Sequence, residues 1–285
     1  MASDSHLSLQ TQNGWAILPS SLKKPDQSPR FNLTFPAYFS SDAGARYLAA
    51  SELGNGYEQP TRNLIERILR PGDLFLDVGA HWGVFSLQAA THPAGGVKVI
   101  AFEPEIMNAI VLTENVVKNG LAQNITVVCA ACGKQCELAP LVTNSTMGHS
   151  VRGFGLPPDG VRGPVKWVPV IALDGALADL QEDNRRIILK IDAEGFEPEI
   201  VAGGQSLLRS GRVAAIIWEW GAAFVEGRNR QTIAEMVATL SGCGFQHFQT
   251  PGHETDGPLS KLDLDNAFLG NVFSFAQDAD RLLAS

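Results

Sequence analysis

The sequence has a deficit of positive charge, few cysteines and no long apolar run. Its 285 residues carry 22 lysines and arginines against 30 aspartates and glutamates, a formal net charge of −8. This charge disfavours a phosphate backbone as a partner, so we expect no nucleic acid to bind. No stretch approaches the roughly 18 uninterrupted apolar residues of a membrane span, and the first residues lack the pattern of a signal peptide. We therefore expect a cytoplasmic protein that does not bind membranes.

The cysteines do not form the usual pattern of a zinc site. Cys129, Cys132 and Cys136 lie close together, and Cys243 is far away in the sequence. Structural zinc sites use four ligands, often in two CxxC pairs, and only one such group is present. We predict no metal site here and expect the cysteines to act as small buried hydrophobic residues.

The chain divides into an N-terminal extension, residues 1–50, and a main domain, residues 51–285. The extension has scattered aromatic residues and prolines, and we expect it to be irregular and to lie on the main domain. Further on, apolar strands alternate with helices, as in a parallel sheet covered on both faces. We predict a single helix over residues 198–211 and a final antiparallel pair over residues 245–249 and 271–276.

Residues 143–164 form a long connection that is rich in glycine and proline. It exceeds the roughly 12 to 15 residues usual for a loop without secondary structure. The alternatives are a lid over the substrate and a disordered insert, and we favour the lid.

The segment "DVGAHWG", residues 77–83, predicts a strand, a glycine turn and the start of a helix. Gly79 permits positive φ and close approach of the backbone, and Gly83 allows the helix to pack closely on the sheet. A nicotinamide fingerprint would also require glycine at the positions of His81 and Val84. The turn is therefore not expected to hold a pyrophosphate.

Acidic residues on both sides of the turn suit S-adenosylmethionine, which carries an ammonium, a carboxylate and a sulfonium but no phosphate. Asp77 is placed to assist the ammonium, and the backbone amides of the turn, including Ala80 and His81, can serve the carboxylate. The next strand ends in "FEP", where Glu103, followed by Pro104, can accept hydrogen bonds from both ribose hydroxyls. Such an acid suits a nicotinamide cofactor equally well, so Glu103 alone does not discriminate.

Four segments together resemble the FkbM family of S-adenosylmethionine-dependent methyltransferases. They are "DVGAHWG" (77–83), "FEP" (102–104), "EN…NG" (114–120) and, most specific, "LKIDAEGFEPEIVAGG" (189–204). The resemblance implies a class I, Rossmann-like α/β fold with a mostly parallel seven-stranded sheet and helices on both faces. It also implies methyl transfer, frequently to a hydroxyl of a small molecule such as a sugar, a polyketide or another secondary metabolite. Some relatives act on nitrogen.

The resemblance extends to single positions. It implies that Tyr57 and Glu58 close over the cofactor, with packing at the start of a helix as an equal alternative. His81 departs from the family, whose members commonly have asparagine there, and this leaves its contact with the cofactor open.

The strand before residue 192 delivers the candidate catalytic residues. Lys190 and Asp192 point to the same face because side chains alternate along a strand, and Glu194 follows in the turn. Our hypothesis is that Asp192 or Glu194 removes the acceptor's proton or positions the acceptor. His149, in the long connection, is a competing base, although an exposed loop histidine is the more common situation. A divalent metal on Asp192 and Glu194 lacks an identifiable third ligand.

Three further functions remain as alternatives. They are an N-methyltransferase of the same fold, an inactive cofactor-binding interaction module, and a nicotinamide oxidoreductase, which the missing glycines disfavour. The expected partner is a small-molecule acceptor, and the sequence gives no indication of the oligomeric state.

Overall fold

The computed structural model describes residues 9–143, 149–151, 165–178, 184–220, 230–252, 255, 257–265 and 270–276. The strands are β1 Gln10–Gln12, β2 Trp15–Pro19, β3 Asn32–Pro36, β4 Leu74–Val78, β5 Lys98–Phe102, β6 Ile125–Val128, β7 Ala131–Cys132, β8 Glu137–Thr143, β9 His149–Val151, β10 Val165–Ile171, β11 Ile187–Ile191, β12 Val213–Trp220, β13 Gln246–Gln249, β14 Ser260–Lys261 and β15 Gly270–Phe275. The α-helices are α1 Ala43–Leu53, α2 Gln59–Ile68, α3 Val84–Ala90, α4 Ile106–Lys118, α5 Leu173–Ala176, α6 Glu197–Ala202, α7 Gln205–Arg209 and α8 Arg230–Gly242. A 3-10 helix spans Ala37–Ser41.

The central sheet confirms the predicted α/β fold. Its strands lie in the order β14-β13-β15-β12-β11-β4-β5-β6. The strands β12, β11, β4, β5 and β6 are parallel, and β15 runs antiparallel to both β12 and β13. The predicted final antiparallel pair is thus β13 and β15. The sheet has one strand more than the expected seven because the two-residue strand β14 adds to its edge.

The expectation of an irregular N-terminal extension is wrong. Strands β1, β2 and β3 form an antiparallel sheet, and α1 follows it. This sheet is attached to α4, where the side-chain oxygen of Asn115 accepts hydrogen bonds from the amide and the hydroxyl of Thr34, at 2.7 and 2.8 Å. The Asn115 side chain also donates to the carbonyl of Trp82, at 2.9 Å. One side chain therefore connects the N-terminal sheet to the glycine turn.

A second sheet separates from the central one. Strand β10, which the alternating pattern placed among the parallel strands, instead pairs antiparallel with β8 in a sheet of order β7-β10-β8-β9. Within the long connection, β9 pairs with β8, His149 lying opposite Thr143. Residues 144–148 and 152–164 lie outside the described residues, and with them most of the predicted lid.

The predicted single helix over residues 198–211 is two helices, α6 and α7. They separate at Gly203 and Gly204, where the backbone lies against a neighbouring loop. A Cβ on Gly203 would be 1.9 Å from the carbonyl oxygen of Gly133, so only glycine fits. None of the helices in the described ranges is both long enough and apolar enough to cross a membrane.

Candidate functional site

A cavity of about 430 Å³ opens at the carboxyl ends of β4, β5, β11 and β12. This volume is within the range of small-molecule sites. Its wall brings together most of the predicted cofactor residues and all four predicted catalytic residues. They are Tyr57, Glu58, Gly79, Ala80, His81, Glu103, Pro104, His149, Lys190, Asp192 and Glu194.

Asp77 and Gly83 lie behind this wall. Asp77 is fully buried, and its Oδ2 accepts a hydrogen bond from the Ser86 hydroxyl at 2.6 Å, while its Oδ1 has no hydrogen-bond partner among the described residues. Gly83 has φ of +91°, and a Cβ there would be 2.3 Å from Leu112 of α4. Close packing at Gly83 is therefore present, but against a helix rather than the sheet. A role of Asp77 toward a cofactor stays a prediction.

The backbone amides of the glycine turn have acceptors within the protein. Those of Gly79 and Ala80 both donate to the carbonyl of Phe102, at 2.9 and 3.0 Å. The amide of His81 donates to Oε2 of Glu103 at 2.8 Å. These contacts disfavour the expected role of the three amides in holding a carboxylate. Their function in the structure is to fix the turn against the end of β5.

His81 adopts a left-handed backbone conformation. Its φ is +50°, in the left-handed region that asparagine, aspartate and histidine adopt more readily than other non-glycine residues. Asparagine, common in the family, and histidine therefore meet the same backbone requirement. The His81 ring stacks on Trp82 with a centroid distance of 4.7 Å.

Glu103 is held at the β5 side of the cavity by backbone donors. Its Oε1 accepts from the amide of Glu105 at 2.9 Å, and its Oε2 accepts from His81. Burial raises the pKa of Glu103 to about 7, although these amides oppose the shift. The side chain of Asn108 also hydrogen-bonds to this carboxylate. A carboxylate has about four acceptor positions, so the group keeps acceptor capacity for a ligand.

Lys190 is the buried cation at the β11 side. Its Nζ lies 2.8 Å from Oδ2 of Asp192 and 4.4 Å from the ring centroid of Phe85. Burial opposes the charged form, but the charges of Asp192 and Asp77 outweigh it and raise the pKa of Lys190. Lys190 and Asp192, which were expected to point to the same face, therefore form an ion pair.

Further carboxyl groups surround this ion pair. Glu194, exposed at the cavity, has φ of +52°, and burial of its carboxyl with the charge of Asp192 raises its pKa to about 7. Glu219 also lines the cavity, and burial together with the charges of Asp192 and Glu194 raises its pKa well above the ordinary value. Glu58 accepts from the side chain of Asn271 at 2.8 Å. The β11 side is thus strongly acidic.

Sequence reasoning missed Glu219. Its neighbours Trp218 and Trp220 are buried in the core. The strand register pairs Ile191 with Trp218 and so places Glu219 beside Asp192. Alternation along β12 was the available signal, since the residue between two core-facing tryptophans must face the other way.

His149 lies near the β5 side. Glu105, whose amide holds Glu103, pairs with Lys166. Burial raises the pKa of Glu105, but the hydrogen bond from Lys166 and the charges of Lys166 and His149 lower it overall. The charge of His149 therefore lowers the pKa of Glu105 at this side of the cavity. The charges of Asp192 and Glu194, in contrast, raise the pKa of Glu219 at the other side.

The described residues include no group of three histidines, cysteines or acids arranged to hold a metal. Cys132 is buried at the cavity wall, and burial raises the pKa of its thiol. Cys129 and Cys136 are exposed, so the expectation of buried cysteines is wrong for these two.

The sequence profile of the Methyltransferase FkbM domain matches residues 77–247. The chain belongs to this family. The match covers the glycine turn, Glu103 and the acidic turn after β11, while Tyr57 and Glu58 lie before it. Part of the cavity wall in this FkbM-family chain is therefore formed by residues outside the matched range, Tyr57 and Glu58 among them. No curated protein matches it.

Two solved structures are similar to this chain at low sequence identity. A methyltransferase FkbM from Methylobacillus flagellatus KT is 16% identical with a TM-score of 0.46, and the match covers 73% of this chain and 45% of that chain. An S-adenosylmethionine-dependent O-methyltransferase from Thermotoga maritima is 12% identical with a TM-score of 0.41, covering 78% of this chain and 65% of that one. The FkbM-family chain thus spans less than half of the first structure. Its family assignment depends on the sequence profile.

Proposed function

We propose that this FkbM-family chain transfers a methyl group from S-adenosylmethionine to a hydroxyl of a small molecule, such as a sugar, a polyketide or another secondary metabolite. The observation that carries the proposal is the distribution of carboxyl groups around the cavity. Glu103 lies at the end of β5 beside Glu105, and Asp192 follows β11 two strands away, about 10 Å across the sheet. Glu194, Glu219 and Glu58 lie around Asp192 at that side of the cavity.

This arrangement fits the donor. Glu103, oriented by two amides, suits the ribose hydroxyls, which need acceptors. The acids at the β11 side suit an ammonium and a sulfonium, since carboxylates stabilise nearby cations. They would repel a pyrophosphate, which supports S-adenosylmethionine over a nicotinamide dinucleotide.

The chain's own residues supply orientation and a base. When bound, the cofactor supplies an activated methyl group. Lys190 fixes Asp192 by their 2.8 Å ion pair, and Glu194 is exposed beside it with a pKa of about 7. A base with a pKa near the working pH contributes about 10² to 10⁴-fold. We assign proton removal from the acceptor hydroxyl to Glu194 and positioning of the acceptor to Asp192, because Asp192 is held by Lys190. His149 is the less favoured base because its charge acts at the other side of the cavity.

The proposal has two alternatives, an amine as the acceptor and a cofactor-binding module without activity. Calorimetry with S-adenosylhomocysteine and with NAD tests the cofactor. Binding of S-adenosylhomocysteine alone is expected, and binding of NAD alone would overturn the proposal. A screen of hydroxyl- and amine-bearing acceptors with labelled methyl donor then distinguishes the chemistry. Transfer to no acceptor by a chain that binds the cofactor would favour the inactive module.

A further inference from the structure

Glu197 is a buried acid with no role in the function described so far. It is the first residue of α6, and it is 0% exposed. Its Oε1 accepts from the amide of Ala193 at 2.9 Å and from the amide of Gly195 at 3.4 Å. A single oxygen therefore holds the amides on both sides of Glu194.

The turn that Glu197 holds is strained. Glu194 and Gly195 have φ of +52° and +99°. A non-glycine residue in the left-handed region is energetically unfavourable and persists only where its surroundings impose it. On the other side, the amide of Asp192 donates to the carbonyl of Val78 at 2.9 Å. The turn is thus fixed at its start by β4 and at its end by Glu197.

We propose that Glu197 is a positioning residue, which aims the carboxyl groups of Asp192 and Glu194 into the cavity by holding the turn between them and α6. This inference rests on the proposed function, because the two carboxyl groups are placed there next to the methyl group of the donor. Glu197 itself lies behind the wall and does not touch a ligand.

The protonation of Glu197 fits this role. Burial raises the pKa of Glu197 to about 8, and the charge of Asp192 adds to the shift. Near neutral pH a protonated Glu197 keeps an oxygen for the two amides and adds no charge to an acidic site. Glutamine should therefore replace it with little effect.

The test compares two probes in the full chain. S-Adenosylhomocysteine lacks the transferable methyl group, and sinefungin carries an ammonium near that position. The ratio of their dissociation constants reports whether carboxyl groups face that position. We expect Glu197→Gln to keep the wild-type ratio at pH 7. Glu197→Ala should lower the preference for sinefungin by about tenfold, in line with the loss of two neutral hydrogen bonds, and change the affinity for S-adenosylhomocysteine less than about threefold.

Two further variants complete the design. Glu199→Gln removes the next acid of α6 and should leave the ratio unchanged. If Glu197→Ala does not fold, Glu197→Asp replaces it, because the shorter side chain cannot reach both amides and should also lower the preference. A wild-type ratio in a folded Glu197→Ala or Glu197→Asp variant would overturn the positioning role. Failure of the wild-type chain to bind either probe would instead overturn the proposed function.

Discussion

The carbonyl oxygen of Asp192 occupies the space that a side chain at Gly79 would need. A Cβ on Gly79 would lie 1.7 Å from this oxygen, and the φ of Gly79 is +81°. The glycine turn after β4 and the acidic turn after β11 therefore pack backbone to backbone. In such a turn, glycine usually allows a ligand to come close to the backbone. Here the carbonyl group of Asp192, in the turn after β11, lies in that position instead.

Gly79→Ala should destabilise the fold and move Asp192. The steric clash and the positive φ together should cost about 2 to 5 kcal/mol in the free energy of unfolding. Urea denaturation measures this cost. Gly72→Ala is the matched control, because Gly72 has φ of +77° with nothing within 4 Å of its Cβ position. Equal losses in the two variants would show that the contact with Asp192 is not responsible.

Glu103→Gln should weaken the binding of S-adenosylhomocysteine by about 10 to 100-fold at pH 8, as expected when hydrogen bonds to a charged acceptor are lost. Because the pKa of Glu103 is raised to about 7, the wild-type affinity should fall as the pH decreases through 7 and level off above it. Calorimetry between pH 6 and 8.5 measures both effects. Glu114→Gln, on the exposed side of α4, should behave as wild type. An unchanged affinity in Glu103→Gln would exclude Glu103 from the ribose site.

Lys190→Met should remove the buried charge that balances Asp77 and Asp192. Breaking a buried ion pair on one side costs about 3 to 5 kcal/mol, because the remaining charge stays buried. Combining it with Asp77→Asn should recover part of this loss, since Asp77 is the fully buried of the two partners. Chemical denaturation measures Lys190→Met, Asp77→Asn and the double variant, with Lys98→Met as an exposed control. No recovery in the double variant would contradict a charge balance between Lys190 and Asp77.

The protein without cofactor should lose stability as the pH rises from 5 to 8. The buried Glu103 has a pKa raised to about 7, and that of the buried Glu197 is raised to about 8. The folded chain then binds more protons than the unfolded chain in this window, so the free energy of unfolding falls with increasing pH. We expect Tm to decrease by roughly 5 °C, and by less in Glu197→Gln. A Tm that increases over this range would show that the acids are not buried as described.

The sequence predicted the site residues whose position follows from one strand alone. Asp77, Glu103 and Asp192 each end or follow an apolar strand, and parallel strands bring such ends to one edge of a sheet. Glu219 also lies near the end of an apolar strand, and alternation along β12 indicates its face, but its position beside Asp192 follows from the register between β11 and β12.

The N-terminal sheet was missed for a related reason. Strands β2 and β3 are short, both end in proline, and a connection separates them. Their stability comes from contacts with distant residues, such as the hydrogen bonds from Thr34 to Asn115. The break between α6 and α7 also depends on a distant contact, that of Gly203 with Gly133. Periodicity within a segment carries no information about such contacts.

The hydrogen bond between Glu58 and Asn271 joins residues 213 positions apart. Asn271 lies in β15, which inserts between β12 and β13 although it is the last described strand along the chain. A contact over such a separation forms slowly, because the long loop between the two residues must close first. The wall around Glu58 is therefore complete only after the ribosome has synthesised nearly all of these residues. A nascent chain should acquire affinity for its ligand late and abruptly, with the insertion of β15 as the decisive event.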